Sequence, residues 1–385
     1  MPRSLKSSTP RRFSIVFYLK CAVCILIMYY LNLLFGLKYY FWPEKSFDEE
    51  YSLNMIRIDA TKIEEHPERL LGSPKNLLSN HFLIENEYLC GRSLDPEILL
   101  QPHVLILVKS SCEKFQERQA IRLTWGEKQQ LRKKSCKLAF VLGENRHNIS
   151  IENEMTKYGD IIQIDKLDSY YYTSSKMIMM LRWITEYCTS KSERTSYQDL
   201  RNYVLFVDDD YYIDIDSLLL YLRRLDEDPD ITTYERRTFI TGELIEGSRP
   251  RRFLNDRYYV SLIDYPYDMY PSYISTGCFL MTRYNARLFY IASKYIRLFH
   301  FDHIYMGILA YSMSIKLIEN NELFSTSLSS TMYFHNQTKF LSRWKNIFNN
   351  RIDFHVDKKP ICIRGYHAQK LIQIWNDIHQ TNLTF

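Results

Sequence analysis

The chain has 385 residues, 46% of them hydrophobic and 25% charged. That is the composition of a folded globular protein, long enough to bury one large core or two modest ones. Its net charge of +5 resides at the start, where Arg3, Lys6, Arg11, Arg12 and Lys20 stand without an acid in residues 1–20; the rest balances, 45 basic against 45 acidic, so no nucleic-acid footprint is present.

The basic start runs into "CAVCILIMYYLNLLFGL", residues 21–37, without a charge. Seventeen such residues are about the minimum for a spanning helix. Residues 13–19 can lengthen the span on its basic side, and Lys38 and Trp42 fit interfacial anchors. With Glu44, Asp48, Glu49 and Glu50 beyond it, the positive-inside rule places residues 1–20 in the cytosol, an anchor over 21–41, and the remainder in a lumen or outside. A cleaved signal peptide competes, but the stretch is long and no small-residue cleavage site follows. Cys21 and Cys24 lie within the apolar span, which removes their redox reading. Cys90, Cys112, Cys136, Cys188, Cys278 and Cys362 follow it, an even number that in a lumen points to disulfides of undetermined pairing. Asn148, Asn336 and Asn382 head glycosylation sequons on the same side.

Residues 42–100 lack periodicity and read as a luminal stem. From 101 to 385 the texture is that of a folded domain. "HVLILV" (103–108), "KLAFVLG" (137–143), "DIIQI" (160–164) and "YVLFV" (203–207) are short apolar runs of strand type. Helical stretches lie at about 113–125, 151–158 and 174–188, with "SLLLYLRRL" a further one. Strands alternating with helices predict an α/β fold, a Rossmann-like, mainly parallel sheet flanked by helices, whose ligands bind outside the carboxyl ends of the strands.

One strand ends in Asp208, Asp209 and Asp210. Adjacent carboxylates repel, so a cation is expected among them. Residues two apart in an extended chain face the same way, so Asp208 and Asp210 can share one site while Asp209 faces elsewhere. Their hard oxygens suit Mg²⁺, Mn²⁺ or Ca²⁺. An EF-hand is excluded, because no Gly stands at the sixth loop position. No P-loop, G-x-G-x-x-G or H-E-x-x-H occurs. A divalent ion neutralising a nucleotide leaving group is one reading; an acidic turn capping the next helix through Asp216 or Ser217 is the other.

"RQAIRLTWG" (118–126), the aspartate triplet, "RYYVS" (257–261), "YPSYISTGCFLMT" (270–282) and "DHIYMG" (302–307) come in order and at familiar spacings. With residues 158–188, they resemble the β-1,3-galactosyltransferase / β-1,3-N-acetylglucosaminyltransferase family over about residues 103–375. The resemblance implies a GT-A fold, a single-pass type II Golgi membrane protein, Mn²⁺ (or Mg²⁺), and inverting transfer from a UDP-sugar. The donor would be UDP-galactose or UDP-N-acetylglucosamine, and the acceptor the 3-hydroxyl of a glycan on glycoprotein or glycolipid. By the same resemblance Asp208 and Asp210 are metal ligands, and His367, followed by Trp375, is a third. Asp209 supports ribose or metal water, and Lys176 lies near the nucleotide. Arg118 and Arg122 clamp phosphate or fold the strand-to-helix turn. Tyr270, Pro271 and Gly277 match an acceptor-side loop.

Three positions depart from the family pattern. Phe206 replaces a lysine two residues before the triplet. The glycine-rich acceptor loop is reduced to 274–278, with Gly277 its one glycine. The family's Glu-Asp pair, whose second acid is the expected base, reads Asp302-His303. Imidazole can serve as a base, and so can Asp302. The competing expectation is a luminal protein that keeps the fold to bind glycans or to partner a transferase.

Overall fold

A computed structural model describes residues 15–35, 44–51, 58, 74–76, 81–90, 103–145, 151–169, 172–188, 202–320, 360–381 and 383–384. Lys38, Trp42 and the sequon asparagines 148, 336 and 382 lie outside these. The chain divides into two compact units, residues 55–247 with 271–385, and residues 1–54 with 248–270.

In the larger unit the four expected apolar runs become β2 (His103–Lys109), β3 (Cys136–Glu144), β4 (Ile161–Leu167) and β5 (Asn202–Asp208), all parallel. Residues 104–108 and 203–207 are fully buried, because helices cover both faces of a parallel sheet and no side of such a strand meets water. The expected α/β class holds. The sheet has eight strands in the order β1-β4-β3-β2-β5-β8-β7-β9, where β1 is Phe82–Ile84, β7 Ile240–Ile245, β8 Tyr273–Thr282 and β9 Ile318–Glu319. β8 runs antiparallel to both β5 and β7, so that half of the sheet is mixed. At the other edge, β1 comes from the segment read as a stem, pairs with β4, and is followed by a disulfide from Cys90 to Cys188. A second disulfide joins Cys278 to Cys362, while Cys112 and Cys136 are free and buried.

The expected helices form at Phe115–Leu123, Glu152–Tyr158, Thr173–Tyr187 and Ile215–Glu227. Gly159, at φ 64°, ends the second in the left-handed conformation that glycine adopts without strain. The cap of the fourth is Asp214, not Asp216 or Ser217. Asp214 has an extended backbone, so its carboxylate faces the free amide of Ser217 at 3.0 Å, whereas the other two are already in the first turn. A small antiparallel ribbon, β6 (Tyr211–Ile213) with β10 (Cys362–Arg364), follows the triplet, and Trp125 Nε1 donates to the Tyr211 carbonyl. The helix Asp302–Ser312 lies tight on the start of β8: a Cβ on Gly307 would stand 2.6 Å from Tyr273 Cβ, so only glycine permits this approach.

In the smaller unit, the helix Ile15–Phe35 contains an 18-residue apolar window, Ile15–Asn32, of mean hydropathy 1.9. Its 21 residues rise about 31 Å, enough by length and composition to cross a bilayer. It starts six residues before the expected anchor and takes in Lys20. Residues 44–51 pack on residues 248–270 through a bridge between Lys45 and Tyr267 and an ion pair of 2.6 Å between Glu44 and Arg252.

Candidate functional site

The register of the parallel strands builds the centre of the site. β2 ends at Lys109 and β5 at Asp208, and the two are direct neighbours across the ladder. Lys109 Nζ lies 2.8 Å from Asp208 Oδ1 and donates to the Thr276 carbonyl of β8 at 2.5 Å. Burial opposes the Lys109 ammonium, but the carboxylates of Asp208 and Asp302 outweigh it and raise its pKa. Burial also pushes the Asp208 carboxyl up, against the pull of Lys109.

The triplet faces two ways, as alternation requires. Asp209 is 2% exposed and pairs with Lys114 at 2.6 Å, while Asp208 and Asp210 are each about a third exposed. Burial raises the Asp209 carboxyl, countered by Lys114. Asp210 meets Arg364 at 3.3 Å. Its carbonyl accepts the amides of Gly365 and Tyr366, both at 3.0 Å, and its Oδ1 is buried without a hydrogen-bond partner. The three carboxylates therefore have three protein cations, two from the end of β2 and the turn after it and one from β10.

Asp302 opens its helix behind Thr276 and is buried. Burial disfavours its charge, but the His303 hydrogen bond and Lys109 outweigh it and hold the carboxyl at about 2. His303 Nδ1 is 3.3 Å from Asp302 Oδ1, and the imidazole, 29% exposed, lies between the rings of Phe301 and Tyr273. With its proton on Nδ1, His303 donates to Asp302 and keeps a lone pair on Nε2. That is the arrangement of a base held by an orienting carboxylate.

The two arginines of the first motif turn inward. Arg118 is fully buried, with Nε and Nη2 on the Glu154 carboxylate at 2.8 and 2.6 Å and further bonds to Ser110 Oγ and the carbonyls of Ser111 and Cys112. Arg122 holds Asp160 at 2.8 Å and Glu154 at 2.7 Å, stacked over the rings of Phe140 and Tyr158. For Arg118 this geometry favours the folded turn over the phosphate clamp, because its polar atoms are spent on protein partners; Arg122 keeps Nη1 buried without a hydrogen-bond partner. Lys176 joins the ends of β2 and β4, bonding the Ser110 carbonyl at 2.5 Å and Asp168 at 2.6 Å. Asp168 in turn accepts the Gly143 amide at 2.8 Å.

His367 is exposed at the head of the helix Ala368–His379, three residues beyond Arg364. Among the described residues no three His, Cys, Asp or Glu side chains are grouped to hold a metal ion. Asp208, Asp210 and His367 are thus not assembled into the three-ligand set that the resemblance implies. The carboxylate pair still fits a hard divalent ion: Asp210 Oδ1 is an unpartnered hard donor, and such ions are commonly held by one or two carboxylates with water and phosphate filling the other positions. Phe206 is core, its ring stacked on Phe279 at 4.6 Å. Tyr270 is buried against Tyr265, and Gly277 lies within β8.

Lys109, Lys114, Thr276 and Arg364 escaped the sequence reading. One signal existed for the first: a lysine closing an otherwise apolar strand that lies beside the aspartate strand. No such signal marked Lys114 or Arg364, which stand 95 and 154 residues from their partners.

Among known proteins, the chain is 30% identical over 215 residues to beta-1,3-galactosyltransferase brn of Drosophila melanogaster, a match over 55% of this chain and 61% of that protein. It is 29% identical over 308 residues to human beta-1,3-galactosyltransferase 1, covering 79% of this chain and 80% of the relative. It is 26% identical over 282 residues to lactosylceramide 1,3-N-acetyl-beta-D-glucosaminyltransferase B of Xenopus laevis, covering 70% and 67%. Among solved structures, the galactosyltransferase LgtC aligns with a TM-score of 0.34 at 12% identity, over 71% of this chain and 95% of LgtC. The family profile described as galactosyltransferase matches residues 116–321, more than half of the sequence. The chain belongs to the galactosyltransferase family.

Proposed function

We propose that this chain is a membrane-anchored, inverting hexosyltransferase. It moves galactose or N-acetylglucosamine from a UDP-sugar to the 3-hydroxyl of an acceptor glycan on glycoprotein or glycolipid, in the Golgi, with Mn²⁺ or Mg²⁺. Family membership supports the reaction class, and the names of the relatives support the 3-linkage. The observation that carries the reading is the cluster at the end of β5, where the charges of Asp208, Asp210 and Asp302 act on Lys109 and Asp302 meets His303.

The acceptor oxygen attacks the anomeric carbon opposite UDP; the new C–O bond forms as the bond to UDP breaks, and the electron pair leaves with the diphosphate. His303 Nε2 takes the hydroxyl proton, while Asp302 holds Nδ1–H and balances the imidazolium charge. Asp208 and Asp210 would hold a divalent ion, which would supply positive charge against the leaving group. Lys109 keeps the carboxylates of β5 and Asp302 together on one side of the site.

The test is UDP release by the purified protein across a panel of UDP-sugars and acceptors. Release is expected with one donor and a sugar acceptor, falling roughly 10²–10⁴-fold in His303→Ala. No release with any donor, together with retained glycan binding, would establish the non-catalytic reading instead.

A further inference from the structure

The smaller unit carries an exposed apolar segment, none of whose residues belongs to the cluster at the end of β5. Phe253 is 57% exposed, Leu254 54%, Tyr258 45% and Ile263 84%, four large apolar side chains within eleven residues. They are held out by ordered turns. The Asp256 amide donates to the Phe253 carbonyl at 2.9 Å, and Asp256 Oδ1 accepts the Tyr258 amide at 2.8 Å. Ser261 Oγ donates to Asp264 at 2.6 Å below Ile263. The base of the segment is pinned by Arg252, a nearly buried guanidinium that donates to the carbonyls of Val260, Ser261 and Tyr267 and pairs with Glu44 at 2.6 Å. Exposed apolar side chains this dense in sequence, presented by hydrogen-bonded turns, mark a contact surface.

The chain itself indicates what covers them. Glu44 is part of the base, and it follows Phe35, the last residue of the apolar helix, by nine positions. The tether is short and firmly joined. Lys45 donates to the Pro266 carbonyl at 2.9 Å, the Asp268 amide donates to the Lys45 carbonyl at 3.0 Å, and the Phe47 amide donates to Asp268 Oδ1 at 2.8 Å. Tyr51 packs its ring on Tyr265 and Tyr267. Nine residues span at most about 32 Å when fully extended. The base of the segment is therefore confined to within that distance of the point where the helix leaves the bilayer. The chemistry matches the occupant: aromatic and aliphatic tips enter the boundary between headgroups and acyl chains, while the exposed Arg251 and Arg257 can stay among the phosphates.

We propose that residues 253–263 form a second membrane contact, seated in the leaflet from which the apolar helix emerges. The proposal rests on the reading that this helix spans the membrane.

The test reconstitutes the full chain in phosphatidylcholine vesicles containing a phosphatidylcholine with a photoactivatable acyl chain, then maps the labelled peptides. Label is expected on the helix and on peptides containing Phe253, Leu254 and Ile263. The triple variant Phe253→Asp, Leu254→Asp, Ile263→Asp should lose the loop label at least about tenfold while the helix label persists. Tyr88→Asp, another exposed site, should change neither. A labelled helix with an unlabelled loop overturns the proposal and leaves the anchor standing, as does loop label that survives the triple variant. An unlabelled helix defeats the anchor reading, and the proposal falls with it. An unlabelled loop that cross-links to a second copy of the chain overturns the proposal in favour of self-association.

Discussion

Lys109 and Asp208 end neighbouring parallel strands in direct register, with Nζ 2.8 Å from Oδ1. The cation expected among the aspartates is thus in part the protein's own. Lys109→Met removes it and leaves Asp208 and Asp302 facing one another, a loss of about 2 kcal/mol or more by chemical denaturation without metal. The same change removes a competitor for Asp208 Oδ1. If the pair binds a divalent ion, the rise in melting temperature on adding Mn²⁺ should be larger in Lys109→Met than in the unaltered protein; an equal or smaller rise counts against a metal site there.

Asp302 and His303 make opposite predictions for pH. A carboxyl held at about 2 stays ionised across the working range, so Asp302 as base would give a rate flat down to about pH 4. An imidazole base fails once protonated, so if His303 is the base, kcat/KM should fall with acid and His303→Asp should move that fall downward. A flat profile in the unaltered protein would assign the proton to Asp302.

The same depressed pKa has a stability consequence. The stabilisation from the Asp302 carboxylate is present above the unfolded value of about 3.9 and is lost as pH falls through about 2. Asp302→Asn should therefore cost about 2 kcal/mol near pH 7, with a deficit that narrows toward pH 2. A deficit unchanged between pH 7 and pH 3 would show that the loss comes from packing rather than charge.

Asp210 Oδ1 is buried without a partner, a donor position that asparagine alters with little change in shape. Asp210→Asn should abolish most Mn²⁺-dependent UDP binding by calorimetry while the melting temperature in EDTA changes little. Equal UDP affinity in the two proteins would return the triplet to a purely structural role.

Arg118 and Glu154 form a buried bidentate pair. Arg118→Met leaves Glu154 to Arg122 alone and removes the bonds to Ser110, Ser111 and Cys112, and should cost roughly 3 kcal/mol, with Arg118→Met combined with Glu154→Leu recovering part of it. UDP affinity of the folded double variant should match that of the unaltered protein; a tenfold loss would revive the phosphate-clamp role.

The sequence by itself determined the four parallel strands, their helices, the N-terminal apolar helix and the alternation that turns Asp209 away from Asp208 and Asp210. Each of these follows from local periodicity, which a linear reading sees. It could not determine which cations meet the triplet, because Lys109, Lys114 and Arg364 reach it only through strand register and chain return over as many as 154 residues. Disulfide pairing, the cap at Asp214 and the recruitment of residues 82–84 to the sheet edge were decided the same way. The motif arginines show the limit most clearly. Residue type and position allowed either a ligand clamp or a folded turn, and only the buried Glu154, 36 residues from Arg118, gave the guanidinium its partner. Asp302 and His303 were legible as an altered pair. The hydrogen bond that orients one with the other depends on the helix that starts at Asp302 and on its close seat against β8 at Gly307.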